Sequence, residues 1–203
     1  MQPLRVLIIF AHPRFEDSRT HQALIAAVKG LDAITIHDLY ELYPDFNINV
    51  EREKEALLAH DIIIWQHPLY WYNCPPLLKQ WIDMVLEFGW AYGPGGLALE
   101  GKYFMQAVSS GGSREVYATE GRNRFSLNTF LAPFNQTVHL CKAHYLPPFA
   151  VQGTHSLEAA AIADFAQTFA TLLIKLQKEV PLVELKAFEQ LNDWMTTFSN
   201  DIR

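Results

Sequence analysis

The stretch "VLIIFAHPRFEDSRTHQAL", Val6 to Leu24, decides how this chain is read. A short apolar run, Val6–Phe10, ends in Ala-His-Pro, and Ser18, Arg19, Thr20 and His21 then open a segment of helical character. An unbroken, β-branched run this brief suits a strand buried on both faces, as in a parallel sheet. Ser18 suits the N-cap of the following helix, whose first turn offers unpaired N–H groups and a positive dipole end to an anion. His12, Ser18, Thr20 and His21 add side-chain hydrogen bonds to that offer. The alternative is that Ser18 only caps and the histidines face solvent.

The same alternation continues along the chain. Apolar runs at 34–37, 62–66, 103–108 and roughly 143–151 (with Pro147-Pro148 inside it) read as strands two to five. Helical segments follow at 20–29, 51–60, 75–87, 125–138 and 157–177. Strands alternating with helices make βαβ units, hence an α/β three-layer sandwich with helices on both faces. Five strands fit the flavodoxin-like order 2-1-3-4-5, in which ligands sit at the carboxyl ends of the strands. Past Pro181, "LVELKAFEQLNDWMTTF" reads as one extra C-terminal helix. The expected division is 1–180 as the domain and 181–203 as a helical extension of it.

Composition narrows the classes. At 203 residues the chain can bury a proper core, and with 50% hydrophobic and 19% charged residues it is no disordered segment. A net charge of −6 argues against nucleic acid, which calls for clustered Lys and Arg. Cys74 and Cys141 form no motif pair, which fits a reduced, cytoplasmic protein. The opening "LRVLIIFAHP" is too short for a secretion signal, and no segment is expected to cross a bilayer, so any membrane role would be peripheral.

Two further loops fall at the expected ligand edge. "QHPLYWYNCPP", Gln66 to Pro76, sets Tyr70, Trp71 and Tyr72 in a row, and exposed aromatics are costly unless something flat covers them. "SSGGSREVY", Ser109 to Tyr117, carries Gly111-Gly112, which lets backbone approach a ligand closely. The three loops together describe a phosphate cradle, an aromatic wall and a glycine-lined floor: a flavin nucleotide site. The dinucleotide fingerprint G-x-G-x-x-G and the P-loop are absent, as are H-E-x-x-H and G-x-S-x-G. "GPGG", Gly93 to Gly96, reads as a plain turn. His139, Cys141 and His144 lack a fourth ligand at structural-zinc spacing, so no metal is expected.

"AHP" with Ser18 and its helix, "HPLYWYNCPPLLKQWIDMV", "FGWAYGPGG" and "SSGGS" resemble the flavodoxin-like NAD(P)H:quinone oxidoreductases. "HDLYELYPDFNI" and "LPPF" at Leu146–Phe149 resemble, within them, the ancillary subunits of glutathione-gated potassium efflux systems. The resemblance spans roughly residues 4–150 and fades beyond Gly153. It implies FMN, or FAD on the same cradle, with NAD(P)H as co-substrate and a quinone or similar electrophile as acceptor. His12, Ser18, Arg19, Thr20 and His21 would hold the flavin phosphate. Leu69, Tyr70, Trp71 and Tyr72 would border the ring, and Ser109, Ser110, Gly111 and Gly112 its edge. Tyr117 would stabilise reduced flavin as the catalytic residue, with Asn123 where the family has a histidine. It implies a homodimer through Trp81, Phe88, Trp90 and Tyr92.

The leading expectation is therefore two-electron hydride transfer by a ping-pong mechanism. The rivals are an electron-transfer flavodoxin without reductase activity and a flavin-holding regulatory subunit of a potassium/proton antiporter. In the last case the chain would sit at the inner face of the membrane through its partner. "YELYPDF", Tyr40 to Phe46, is the candidate docking loop; the alternative is that it folds over the sheet edge, with Phe46 and Ile48 filling local core.

Overall fold

A computed structural model describes residues 2–199. Six strands form one parallel sheet: β1 (Val6–Phe10), β2 (Ile34–Asp38), β3 (Ile62–Pro68), β4 (Tyr103–Ser110), β5 (His144–Tyr145) and β6 (Phe149–Gln152). Their order is β2-β1-β3-β4-β5, with β6 also on β4, as the alternation of apolar runs predicts. In register, Val6 stands opposite both Ile34 and Ile62, and Ile62 opposite Tyr103.

The fifth strand is the one departure. Expected as a single run, it is two short pieces on the same side of β4. Leu146 N–H still donates to Phe104 O at 2.7 Å. Pro147 and Pro148 then have no N–H to give, and pairing resumes only at Phe149.

Side chains alternate across the sheet and feed two cores. Leu7, Ile9, Ile63 and Trp65 pack under α2 (Leu39–Leu42), α3 (Val50–Leu58), α4 (Pro76–Val85) and α5 (Leu127–Leu140). Val6, Ile8, Phe10, Ile62 and Ile64 pack under α1 (Arg19–Val28), α6 (Ala159–Lys178) and α8 (Leu191–Ser199). Among the described residues one helix, α6, is long and apolar enough to cross a membrane by length and composition. The fold spends its apolar side on the second core, through Ala166, Phe169, Ala170, Leu172, Leu173 and Leu176.

The first core hides a carboxylate. Glu53, fully buried, accepts from His37 Nδ1 at 3.1 Å, Tyr43 hydroxyl at 2.6 Å and Trp81 Nε1 at 2.9 Å. Burial alone would push Glu53 up, but these donors outweigh it and hold the carboxyl below its usual range. Tyr43 is one of the three, so the docking loop is largely core: Ile48 is buried too, and Phe46 packs edge-on to Tyr40 at 6.0 Å. Trp81, expected at a subunit interface, is likewise fully buried. A helical amphipathic pattern shows that such residues turn inward or outward together; it does not say which face meets solvent.

The C-terminal segment is two helices, α7 (Leu182–Leu185) and α8, where one was expected. The chain turns between them because it is tied to the broken strand. Leu191 N–H donates to Pro148 O at 2.9 Å, while Asn192 accepts from Ala150 N–H at 2.8 Å and donates to Ala150 O at 3.0 Å. Residues 1 and 200–203 of the expected domain division lie outside the described residues.

Candidate functional site

The loops after β1, β3, β4 and β6 meet at the carboxyl edge of the sheet around a cleft of about 530 Å³. A smaller recess of about 180 Å³, sharing Leu69 with it, lies beside the exposed aromatics.

The cleft begins at the start of α1. Ser18 Oγ accepts from His21 N–H at 3.2 Å and caps the helix, while the N–H groups of Arg19 and Thr20 take no acceptor among the described residues. His12 lies on the cleft wall with its tautomer set. Nδ1 accepts from Arg14 N–H at 3.1 Å, so the ring proton sits on Nε2. Burial lowers the His12 pKa, against the pull of Glu16 and Asp17, and the ring is a neutral donor at pH 7.

Across the cleft, Ser109 is oriented from beneath. With the Gln66 amide nitrogen 3.3 Å from His21 Nδ1, His21 Nε2–H donates to Ser109 Oγ at 2.9 Å. The Ser109 proton is then free for the cleft. His21 itself is sealed from solvent, and burial, with His12 and His67 adding to it, lowers its pKa far below the ordinary value. The sequence expectation of a direct phosphate contact from the His21 ring is corrected here: the ring is an orienting group under Ser109.

The glycine floor is tight. A Cβ on Gly111 would overlap the His155 ring, and one on Gly112 would come within 3.0 Å of Tyr117 Cε2. The Gly111 and Gly112 N–H groups take no acceptor among the described residues. Tyr117 lines the recess opposite Asn123, and burial raises its pKa above 10, with Tyr72 adding to the rise and Asn123 and Ser110 opposing it. Its hydroxyl therefore keeps its proton at neutral pH.

The aromatic wall is a strained turn. Tyr70 N–H donates to Asn73 O at 2.9 Å and Asn73 N–H to Tyr70 O at 3.0 Å, closing a four-residue turn. Its central residues, Trp71 and Tyr72, have φ of 48° and 64°. That is the mirror-image turn normally given to Asn-Gly, here made by two bulky rings that dislike positive φ. Tyr72 stacks on Phe130 at 4.8 Å, whereas Trp71 is 92% exposed.

Of the residues expected from sequence, His12, Ser18, Arg19, Thr20, Leu69, Tyr70, Ser109, Ser110 and Gly111 line the cleft. Trp71, Tyr72, Gly112 and Tyr117 line the recess. Arg19 is partly committed, donating to Leu157 O at 3.1 Å. Sequence reasoning missed Arg14 and Asp17, which pair with each other, and Pro68, Thr154 and His155. Thr154 is fastened by its N–H to Ser110 O at 3.0 Å, just after Gly153 with its φ of 77°. The signal for it was present: a glycine followed by polar residues at the carboxyl end of a strand.

A strand edge of this kind, with a capped helix start and a glycine floor, defines an α/β protein whose candidate ligand cleft lies at the carboxyl ends of the strands. Residues 4–173 match the family model described as flavodoxin-like fold, and the chain belongs to that family. It is similar to the glutathione-regulated potassium-efflux system ancillary protein KefG of Enterobacter sp. (strain 638), 39% identical over 85% of this chain and 94% of that one. It is also similar to the uncharacterized NAD(P)H oxidoreductase YdeQ of Bacillus subtilis, 40% identical over 93% of this chain and 95% of the other. Among solved structures, general stress protein 14 of Treponema denticola in complex with FMN aligns with a TM-score of 0.82 at 40% identity, covering 85% and 99% of the two chains. An NADPH-quinone reductase from P. pentosaceus aligns with a TM-score of 0.77 at 34% identity, covering 84% and 98%.

Proposed function

We propose that this chain is an FMN-dependent NAD(P)H:quinone oxidoreductase. The observation that carries the reading is the convergence of uncommitted donors on one cleft beside exposed rings. These donors are the Arg19 and Thr20 N–H groups, His12 Nε2–H and the Ser109 hydroxyl. They fit a phosphate, and the Gly111-Gly112 N–H groups fit the edge of a ring system. Bound FMN would supply two-electron, hydride-level chemistry.

The chain's part is position and charge. The Gly111 and Gly112 N–H groups and the protonated Tyr117 hydroxyl would hold the edge of the flavin ring, and fixed donors of this kind stabilise negative charge. The exposed rings of Trp71 and Tyr72 are where a nicotinamide or a quinone would stack. A single site for both makes the two substrates take turns, so the kinetics are ping-pong. FMN is favoured over FAD because the surface beyond His12 turns acidic. Glu16, Asp38 and Glu41 line it and would repel a second phosphate.

The test is direct. The purified protein should be yellow, release FMN on denaturation, bleach with NAD(P)H under anaerobic conditions and give parallel initial-rate lines with a quinone. Colourless protein that takes up no flavin overturns the reading. A bleach-free yellow protein makes it an electron carrier.

The likeness to KefG favours a second reading, in which a cytoplasmic chain also docks on a potassium efflux protein at the inner face of the membrane. With Tyr43 in the core, Tyr40 is the residue of that loop left to test. Tyr40→Ala would abolish co-purification with such a transporter and leave flavin content intact. A homodimer belongs to the proposal through Phe88, 68% exposed, with Trp90 and Tyr92 half-buried beside it. Phe88→Asp would give a monomer by light scattering.

A further inference from the structure

An open groove of about 540 Å³ lies away from the cleft, between α5, the proline break in the sheet edge and the turn joining α7 to α8. Asn128, Asn135 and His139 contribute from one face of α5, since spacings of seven and four return to the same side of a helix. Lys186 and Phe188 come from the C-terminal segment, beyond the residues that match the family model. This wall is therefore an addition to the shared fold.

Its exposed wall offers donors to an anion. Lys186, Asn135 and His139 are open to solvent and His144 is half-buried; Lys186 makes no ion pair and the other three side chains make no hydrogen bond, among the described residues. One carboxylate also lines it, that of Glu189, which is paired with Arg114 Nη2 at 3.4 Å. Pro147, Pro148 and the Phe188 ring give the groove an apolar side.

The floor is connected to the first cleft. Tyr145 lines the groove, and its hydroxyl donates to Gln106 Oε1 at 2.6 Å. Gln106 Nε2 donates to His67 Nε2 at 3.0 Å, and His67 Nδ1–H donates to Pro68 O at 3.0 Å. A carbonyl can only accept, so the direction of every bond in this chain is fixed. Gln106 and His67 are fully buried, and Pro68 is a wall of the flavin cleft.

We propose that this groove binds a small organic anion with an apolar body, and that its occupancy alters FMN affinity through Tyr145, Gln106 and His67. The binding half stands without the flavin reading; the coupling half rests on it. By linkage the effect is reciprocal, FMN changing the anion's affinity by the same factor.

The test uses the FMN-saturated protein and two probes, benzoate and phenyl phosphate, followed by the histidine ring-proton resonances. The expected result is saturable shifts at His139 and His144, weakened about tenfold by Lys186→Glu. Whichever probe binds more tightly identifies a carboxylate or a phosphate as the natural group. Shifts confined to His12 and His155, no shift at all, or indifference to Lys186→Glu overturns the site. Bound probe should change the FMN Kd about threefold or more, within the usual range of coupling between sites. Tyr145→Phe, which removes only the hydroxyl turned to Gln106, should abolish that change. Coupling that survives Tyr145→Phe, or is absent from the unaltered protein, overturns the route. If the protein takes up no FMN, the histidine shifts still decide the site, so the two failures are told apart.

Discussion

His12→Ala isolates the phosphate end of the proposed site. The ring's Nδ1 is occupied by Arg14 N–H at 3.1 Å, so one proton, on Nε2, is what the substitution removes from the cleft. A hydrogen bond to a charged group contributes roughly 1.5–3 kcal/mol, which is about a 10- to 150-fold loss of affinity. Burial lowers the His12 pKa in the flavin-free chain, so at pH 7 the ring donates as a neutral group and the lower half of that range applies. A phosphate beside it raises that pKa, so binding takes up a proton as the pH falls toward 6. The unaltered protein should then show a proton-linked gain that His12→Ala lacks. Fluorescence titration of flavin-free protein with FMN measures the loss, and riboflavin, which has no phosphate, is the control. FMN affinity should drop about 10- to 50-fold while riboflavin affinity stays within about twofold, since only the phosphate contact is lost. An FMN affinity within about threefold of the unaltered protein, or an equal loss for both flavins, refutes the assignment.

Trp71→Asn should stabilise the protein by about 1 kcal/mol, because asparagine tolerates the left-handed backbone and the exposed indole has little packing to lose. The same substitution should raise the apparent KM for quinone; a KM that does not move means that Trp71 meets no substrate. Glu53→Ala strands three buried donors and should cost about 3–5 kcal/mol in urea unfolding, with Glu53→Gln costing less. A loss below about 1 kcal/mol would show that the network relaxes or takes in water. Burial pushes His67 down to about 4, so the fold favours its neutral form; that contribution is complete above pH 6.5 and is lost as the pH falls toward 4. The loss amounts to about 3 kcal/mol by pH 4, and His67→Gln should flatten that part of the stability profile.

What sequence disclosed was governed by local pattern. Val6–Phe10 and 62–66 are unbroken and β-branched because both faces of the sheet are covered, and the strand order follows from their alternation with helices. Ser18 and Gly111-Gly112 were readable because capping and close approach restrict residue type. His21 was misplaced because a donor at a helix start looks the same whether it faces a ligand or lies under it, and only Gln66 and Ser109, distant in sequence, decide. Trp81 and Tyr43 were read as surface for a similar reason: their hidden partner, Glu53, looks like an ordinary exposed glutamate on a helix. Thr154 and His155 lay where the resemblance fades. The proline break in the fifth strand was visible as Pro147-Pro148, but its consequence for pairing was not drawn.

That break bears on how the protein fails. An edge strand presents a row of unpaired amides, the natural template for chain-to-chain association. Here the prolines interrupt the row, and Asn192 takes up both backbone groups of Ala150 as a neighbouring strand would. The C-terminal helices thus act as a built-in stopper on the growing end of the sheet. A chain cut after Pro181 would keep its βαβ framework but expose β6, and its weakness would be precipitation during expression or heating, before any defect in chemistry. Sequence changes at Asn192 would then register first as lost solubility.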